Sequence, residues 1–253
     1  MLLHIILSLL TLALGTLQGS TSRAINNIAK PNCPTHYGNV TVPYPFGIGK
    51  DTGCSLDDSF YVTCDTSNEY PNLFLHSTGI EIYNFSESEF RIGAGIANRC
   101  YNQDGTIEEN YGWWLQLNTF TYSQKNTLTV LGCDDYSLIR GTKGRSFSIG
   151  CLGVCGEVED VPDDGQCSGP GCCKTSIPKG LDFYNISLST FRNHTDVWSF
   201  NRCGYAFLGE EGSFKFRGAS DLSPGGDVWA RIKSTVHVVL SLLNAKKTVP
   251  AMR

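Results

Sequence analysis

Eleven cysteines constrain this chain more than any other feature: Cys33, Cys54, Cys64, Cys100, Cys133, Cys151, Cys155, Cys167, Cys172, Cys173 and Cys203. Ten can pair and one cannot. In an oxidising compartment such a spread reads as a disulfide framework. Each bridge contributes about 2–4 kcal/mol, against roughly 5–15 kcal/mol of net stability for a whole domain, so the bridges decide whether the chain folds. The spacing fixes neither the connectivity nor the identity of the unpaired thiol. Zinc is the rival use, suggested by Cys151-x3-Cys155 and Cys167-x4-Cys172-Cys173, but no histidine accompanies these pairs at finger spacing.

The beginning of the chain supports the oxidising compartment. Residues 1–22 hold an apolar run from Leu2 to Leu17 with no charged side chain, followed by small residues, which predicts a signal peptide and a secreted, extracellular or cell-wall protein. The run is shorter than the ~20 residues of a spanning helix. Residues 23–32 are polar and predicted flexible. After signal removal no transmembrane segment is predicted, since Val236 to Leu243 is interrupted by His237 and Ser241. The net charge of −4 gives no sign of a nucleic-acid partner, so any anion site must be local.

From Cys33 onward, short β-branched and aromatic runs alternate with Gly, Pro, Asn and Asp turns, the pattern of an all-β fold. Phe60–Cys64, Leu73–Leu75, Ile80–Phe85, Trp113–Leu117, Thr127–Gly132, Gly180–Leu188 and Tyr205–Leu208 are the predicted strands. The alternation in Ile80–Phe85 is imperfect. The 27 glycines and 10 prolines break nearly every window of helical length. The exception is 228–247, where apolar residues recur at helical spacing although its β-branched content also permits strand. The fold class is therefore an all-β, disulfide-rich secreted ectodomain spanning 33–222, with a tail 223–253 that is read as helical in part. An acidic, Gly- and Pro-bearing stretch at 157–171 leaves two organisations open: a boundary between two small β lobes, or a long loop in one domain.

Four Asn-x-Ser/Thr sequons, at Asn39, Asn84, Asn185 and Asn193, predict N-glycosylation of an exported chain. Asn84 and Asn185 fall in predicted strands, so a glycan there requires an outward-facing position. Pro43 and Pro45 around Tyr44 make an extended edge whose aromatics are read chiefly as core. Trp113 and Trp114 are adjacent on a strand and face opposite ways, so at most one can stack on a sugar.

The ordered blocks NVTVPYPFGIG, GCSLDDSFYVTC, NRCYN, VLGCDDYSLI, CSGPGCCKTSIPKGLDFYNISL and CGYAFLGEEGSFKFRGASDL, running from Cys33 to Leu222, resemble the galacturonan-binding domain of the plant wall-associated receptor kinases. The resemblance implies an extracellular domain that binds the homogalacturonan of pectin, with cell-wall oligogalacturonides as ligands and a receptor ectodomain as a further partner. Two departures stand out. Tyr37 occupies the place where that family usually has a cysteine, which accounts for the odd count. The family continues through EGF-like, transmembrane and kinase parts, and this sequence holds no kinase Gly-rich loop, His-Arg-Asp or Asp-Phe-Gly.

A polyuronate binder needs spaced cations. The pectin-contacting residues predicted on this basis are Arg140, Lys143 and Arg145 in the RGTKGR loop; Lys174 and Lys179 around CCKTSIPKG; Lys215 and Arg217 in FKFR; and Arg91 and Arg99. No cofactor is expected. Calcium shared with galacturonate by Glu157, Glu159, Asp163 and Asp164 is an alternative route. No enzymatic motif is present, and the carboxylate pairs Asp57-Asp58, Glu108-Glu109 and Asp134-Asp135 are read as solvated turn residues. The alternative function is a non-catalytic protein-interaction or decoy ectodomain that has lost pectin binding.

Overall fold

The computed structural model describes residues 28–65, 72–76, 78–86, 88–141 and 147–242, and the predicted signal peptide lies outside them. The fold is all-β, with one α-helix among these residues, Val228–Thr235. Two large sheets dominate. The first orders seven strands as Thr121–Tyr122, His237–Ser241, Glu89–Gly93, Ile80–Phe85, Asn72–Leu75, Tyr61–Asp65 and Gly47–Ile48. Its last pair is parallel and the rest antiparallel. The second orders Ser168–Gly169, Gly171–Ser176, Asn126–Gly132, Cys203–Glu210, Ile96–Tyr101 and Ile107–Tyr111, all antiparallel. A three-stranded sheet sets Asp134–Gly141 between Phe147–Val154 and Leu188–Thr190.

The main core lies between the two large sheets. Val62, Leu73, Ile82, Phe90 and Val238 from the first sheet join Leu128, Val130, Ala206 and Leu208 from the second. Phe46, from the proline-bounded edge, is fully buried against Phe60, Phe90 and Phe120. A second cluster covers the other face of the six-stranded sheet, where Leu131 and Phe207 meet Phe214, Phe216, Leu222, Val228, Ile232 and Val236. Burial of such side chains stabilises by about 1.5–3 kcal/mol each, which is why the segment after 214 packs down.

The run 228–247, read as helix or strand, is both. Helix gives way after Thr235 to a strand, His237–Ser241, where β-branched Val236, Val238 and Val239 concentrate. Asn126 stitches this strand to the six-stranded sheet: its Oδ1 accepts from Val239 N at 2.8 Å and its Nδ2 donates to Val239 O at 2.7 Å. The imperfect alternation of Ile80–Phe85 also has a cause, a register shift between Ile82 and Asn84 against the neighbouring strand. Strands on both sides of 157–171 pair within one sheet, Asn126–Gly132 with Gly171–Ser176.

Five disulfides join Cys33–Cys54, Cys100–Cys203, Cys133–Cys155, Cys151–Cys173 and Cys167–Cys172. The cysteines that resembled zinc pairs are thus all consumed in bridges. Cys100–Cys203 closes a separation of 103 residues, worth about 4.7 kcal/mol in the loop-entropy model. The unpaired thiol is Cys64. Its neighbour is Tyr37, and burial raises both the thiol and the phenol above their usual values.

The reading of Asp134-Asp135 as solvated is overturned. Asp135 is fully buried and Asp134 nearly so. Asp134 accepts backbone N–H groups from Arg192 at 2.9 Å and His194 at 2.9 Å. Asp135 Oδ2 lies 3.0 Å from Nε2 of the equally buried His194. The other imidazole nitrogen meets Asn201 O at 2.8 Å, the ring stacks on Tyr101, and Asn201 Oδ1 accepts from Cys133 N at 2.7 Å. Only glycine fits beside this pair: a Cβ on Gly132 or Gly204 would fall about 2 Å from the Asp135 carboxylate. Burial opposes charge on His194, but the Asp135 carboxylate 3.0 Å away, the Asn201 carbonyl and Asp134 outweigh it, so His194 titrates above its usual value. Burial raises Asp135 as well.

Two predictions follow from these contacts. Tyr37→Cys replaces a long side chain by a short one, so the Tyr37 hairpin must move inward to close a sixth bridge with Cys64. Titration with a thiol reagent in denaturant should then count none, against one in the natural chain, and two would show that the gap stays open. For His194, a raised folded-state pKa stabilises fully below the unfolded value of about 6.5 and is lost as pH rises through the folded value. Urea midpoints should therefore decline above pH 6.5. His194→Gln, expected to cost about 3–5 kcal/mol, should abolish that decline, and an identical alkaline slope in both proteins would contradict the assignment.

Candidate polyanion-binding surface

The predicted cations divide sharply once their neighbours are visible. Arg91 grips Glu210 with two bonds, Nε to Oε2 at 2.7 Å and Nη2 to Oε1 at 2.6 Å, tying the seven-stranded sheet to the six-stranded one. That hydrogen-bonded contact raises Arg91 and lowers Glu210. Arg99 is half-buried and adds a positive charge near Asp135. Arg217 bonds Asp221 Oδ1 at 3.0 Å and also pairs with Asp227. These three guanidiniums serve the fold first. Lys143 and Arg145 lie outside the described residues, as does the side chain of Arg140.

Two of the predicted lysines come together. Lys174, on the strand Gly171–Ser176, donates Nζ to Phe214 O at 3.2 Å, and Lys215 follows that carbonyl in the chain. Burial lowers the Lys174 pKa, an effect Glu211 partly offsets. Lys215 and Arg217 point outward while Phe214 and Phe216 point into the second core cluster. The two-residue alternation expected of FKFR is present, although the segment is an irregular extended stretch. Lys179 is exposed at the turn that ends the same CCKTSIPKG block.

Sequence reasoning missed Arg231, which lies in the stretch assigned to a tail. The helix Val228–Thr235 carries it over the Phe214 ring, 4.9 Å from its centroid, and buried Asp221 Oδ1 anchors it at 2.5 Å. Lys215, Arg231, Ser213 and Thr235 line a hollow of about 200 Å³. The Ser213 and Thr235 hydroxyls donate inward, to Glu210 O and Arg231 O, which leaves their oxygens able to accept. The hollow can therefore meet a carboxylate with cations and sugar hydroxyls with acceptors.

Of the acidic group proposed for calcium, Asp164 has a backbone partner, as does Asp160, which lies beside that group. Asp160 Oδ2 accepts Gly156 N and Glu157 N, and Asp164 Oδ1 accepts Gln166 N. Among the described residues no three metal-ligating side chains converge. Trp113 packs over Gly95, where a Cβ would strike its indole at 2.1 Å, while Trp114 is 66% exposed. A larger groove of about 530 Å³ runs along the Cys133–Cys155 bridge between Val154, Phe191 and Arg192. Val154 and Phe191 in its lining are exposed, as are Leu138 and Leu152 on the adjoining strand pair. Arg192 there is paired to Asp196 at 2.6 Å.

No family model matches the sequence, and no solved structure matches it. Among curated proteins it is 35% identical over 195 residues to wall-associated receptor kinase 2 of Arabidopsis thaliana, covering 77% of this chain and 26% of that protein. It is 34% identical over 194 residues to wall-associated receptor kinase 4 and 35% over 198 residues to wall-associated receptor kinase 5, both of Arabidopsis thaliana. Each match covers 76% of this chain, and 25% and 26% of those proteins respectively. The chain thus spans about a quarter of the length of these relatives. Among the described residues no helix is long and apolar enough to cross a membrane.

Proposed function

From the premise that this chain is a homologue of the wall-associated receptor kinases across about three quarters of its length, we propose that it is a secreted recognition domain for the galacturonan of pectin. Disulfides throughout the chain fit an extracellular setting. The observation that carries the ligand is the hollow where exposed Lys215 and half-buried Arg231 sit beside two hydroxyls, with Lys174 behind Phe214. Arg231 is held in place by buried Asp221, so little ordering entropy is lost when a carboxylate arrives.

One exposed ion pair contributes about 0–1 kcal/mol, whereas micromolar affinity needs about −8 kcal/mol. A single galacturonate is therefore held weakly. Affinity must come from a polymer that engages the hollow repeatedly or in concert with Lys179, and it must weaken with salt. The exposed apolar side chains Leu138, Leu152, Val154 and Phe191 support a second reading, contact with another protein such as a receptor ectodomain.

Retention on immobilised polygalacturonate tests the proposal. The natural chain should bind at 50 mM salt, release at 500 mM and liberate no new reducing ends. Lys215→Glu, at an exposed position, should weaken binding about tenfold, the equivalent of ~1.4 kcal/mol. Unchanged retention in Lys215→Glu would remove the hollow from the account. Loss on reversing Arg140, Lys143 and Arg145 instead would move the site to that loop. No salt-sensitive retention at all would leave the protein-contact reading.

A further inference from the structure

The paired strands Trp113–Gln116 and Phe183–Ile186 set Trp114 directly opposite Asn185. Directly opposed residues of an antiparallel pair leave the same face, with Cβ atoms about 4.5–5.5 Å apart. The alternation along the second strand fixes which face: Tyr184 and Ile186 are buried and Asn185 is exposed. Trp114 is the most exposed large apolar side chain among the described residues, at 66%. Trp113 has a packing role over Gly95, and Trp114 has none of that kind. Asn185-Ile186-Ser187 is a glycosylation sequon whose Ser187 is also exposed. The other sequon asparagines, Asn39, Asn84 and Asn193, are exposed too, but the one in a regular strand, Asn84, faces Arg91 across its pairing instead of an aromatic.

We propose that Asn185 carries an N-linked glycan whose first N-acetylglucosamine lies with its apolar C–H face on the Trp114 indole. In the attachment step Asn185 Nδ2 forms the bond to the anomeric carbon of a lipid diphosphate-linked oligosaccharide. The lipid diphosphate leaves with the bonding pair, and the amide proton passes to a base of the transferase. One face of a pyranose is a set of C–H groups and Trp is a large, flat apolar surface, so the sugar covers what the protein leaves open. The glycan then occupies the most exposed tryptophan and removes it from any role as a platform for pectin. This inference needs export of the chain but is independent of galacturonan binding.

The test is a cycle of variants secreted from a glycosylating host. Peptide mass mapping of the natural sequence should find Asn185 occupied. Removing the sequon by Ser187→Ala, with Asn185→Gln as a second route, should lower the melting temperature by about 2–4 °C, the size expected of a ~1 kcal/mol loss in a domain of this length. In a Trp114→Ala background the same removal should change it by less than about 1 °C. Trp114 is exposed, so its replacement leaves a folded reference. A bare Asn185, or equal shifts in both backgrounds, would overturn the proposal.

Discussion

A buried carboxylate and imidazole, Asp135 and His194, sit where the three-stranded sheet meets the six-stranded one, and the surrounding structure is arranged to tolerate them. An uncompensated charge in that position costs several kcal/mol. The compensation comes from sequence-distant groups: His194 from one loop, Asn201 behind it, and the field of Arg99 from a neighbouring strand. Gly132 and Gly204 supply the space. Two disulfides begin at adjoining positions, Cys133–Cys155 next to Asp134 and Cys100–Cys203 next to Gly204, so covalent and polar constraints meet in one knot.

That knot connects to the outer surface through the six-stranded sheet. Its strand Cys203–Glu210 leads from the second cysteine to the turn before Phe214, and the segment beyond packs Phe214 and Phe216 onto the opposite face of the same sheet. Asp221, buried and aimed at two guanidiniums, holds Arg217 and Arg231 side by side. Asp227 pairs with Arg217 as well, so two carboxylates balance the two guanidiniums, and exposed Lys215 adds a further cation beside them. The hollow with Lys215 is thus a consequence of packing the end of the chain against a rigid sheet.

The sequence made the class of fold legible because its determinants are local. Turn residues, β-branched runs and cysteine content need no knowledge of partners, and Ile80–Phe85 and Asn126–Gly132 emerge close to where the pattern put them. Pairing was not legible, since strand order depends on register between distant segments. The same reason explains the misreading of Asp134-Asp135: a buried carboxylate and a solvated one look alike until His194, some sixty residues away, is brought to them. Arg91 looked free because its partner Glu210 lies 119 residues on. Arg231 was overlooked because 228–247 carried two periodicities, and only packing divides it into a helix that presents the arginine and a strand that closes the sheet.

Peptide mapping of the native protein without reduction, after alkylation of accessible and then denaturant-exposed thiols, tests the framework most directly. The account predicts cross-linked peptides for Cys33–Cys54, Cys100–Cys203, Cys133–Cys155, Cys151–Cys173 and Cys167–Cys172, with alkylation confined to Cys64. Recovery of Cys64 in a bridge, or of Cys100 or Cys133 as free thiols in folded protein, would contradict it.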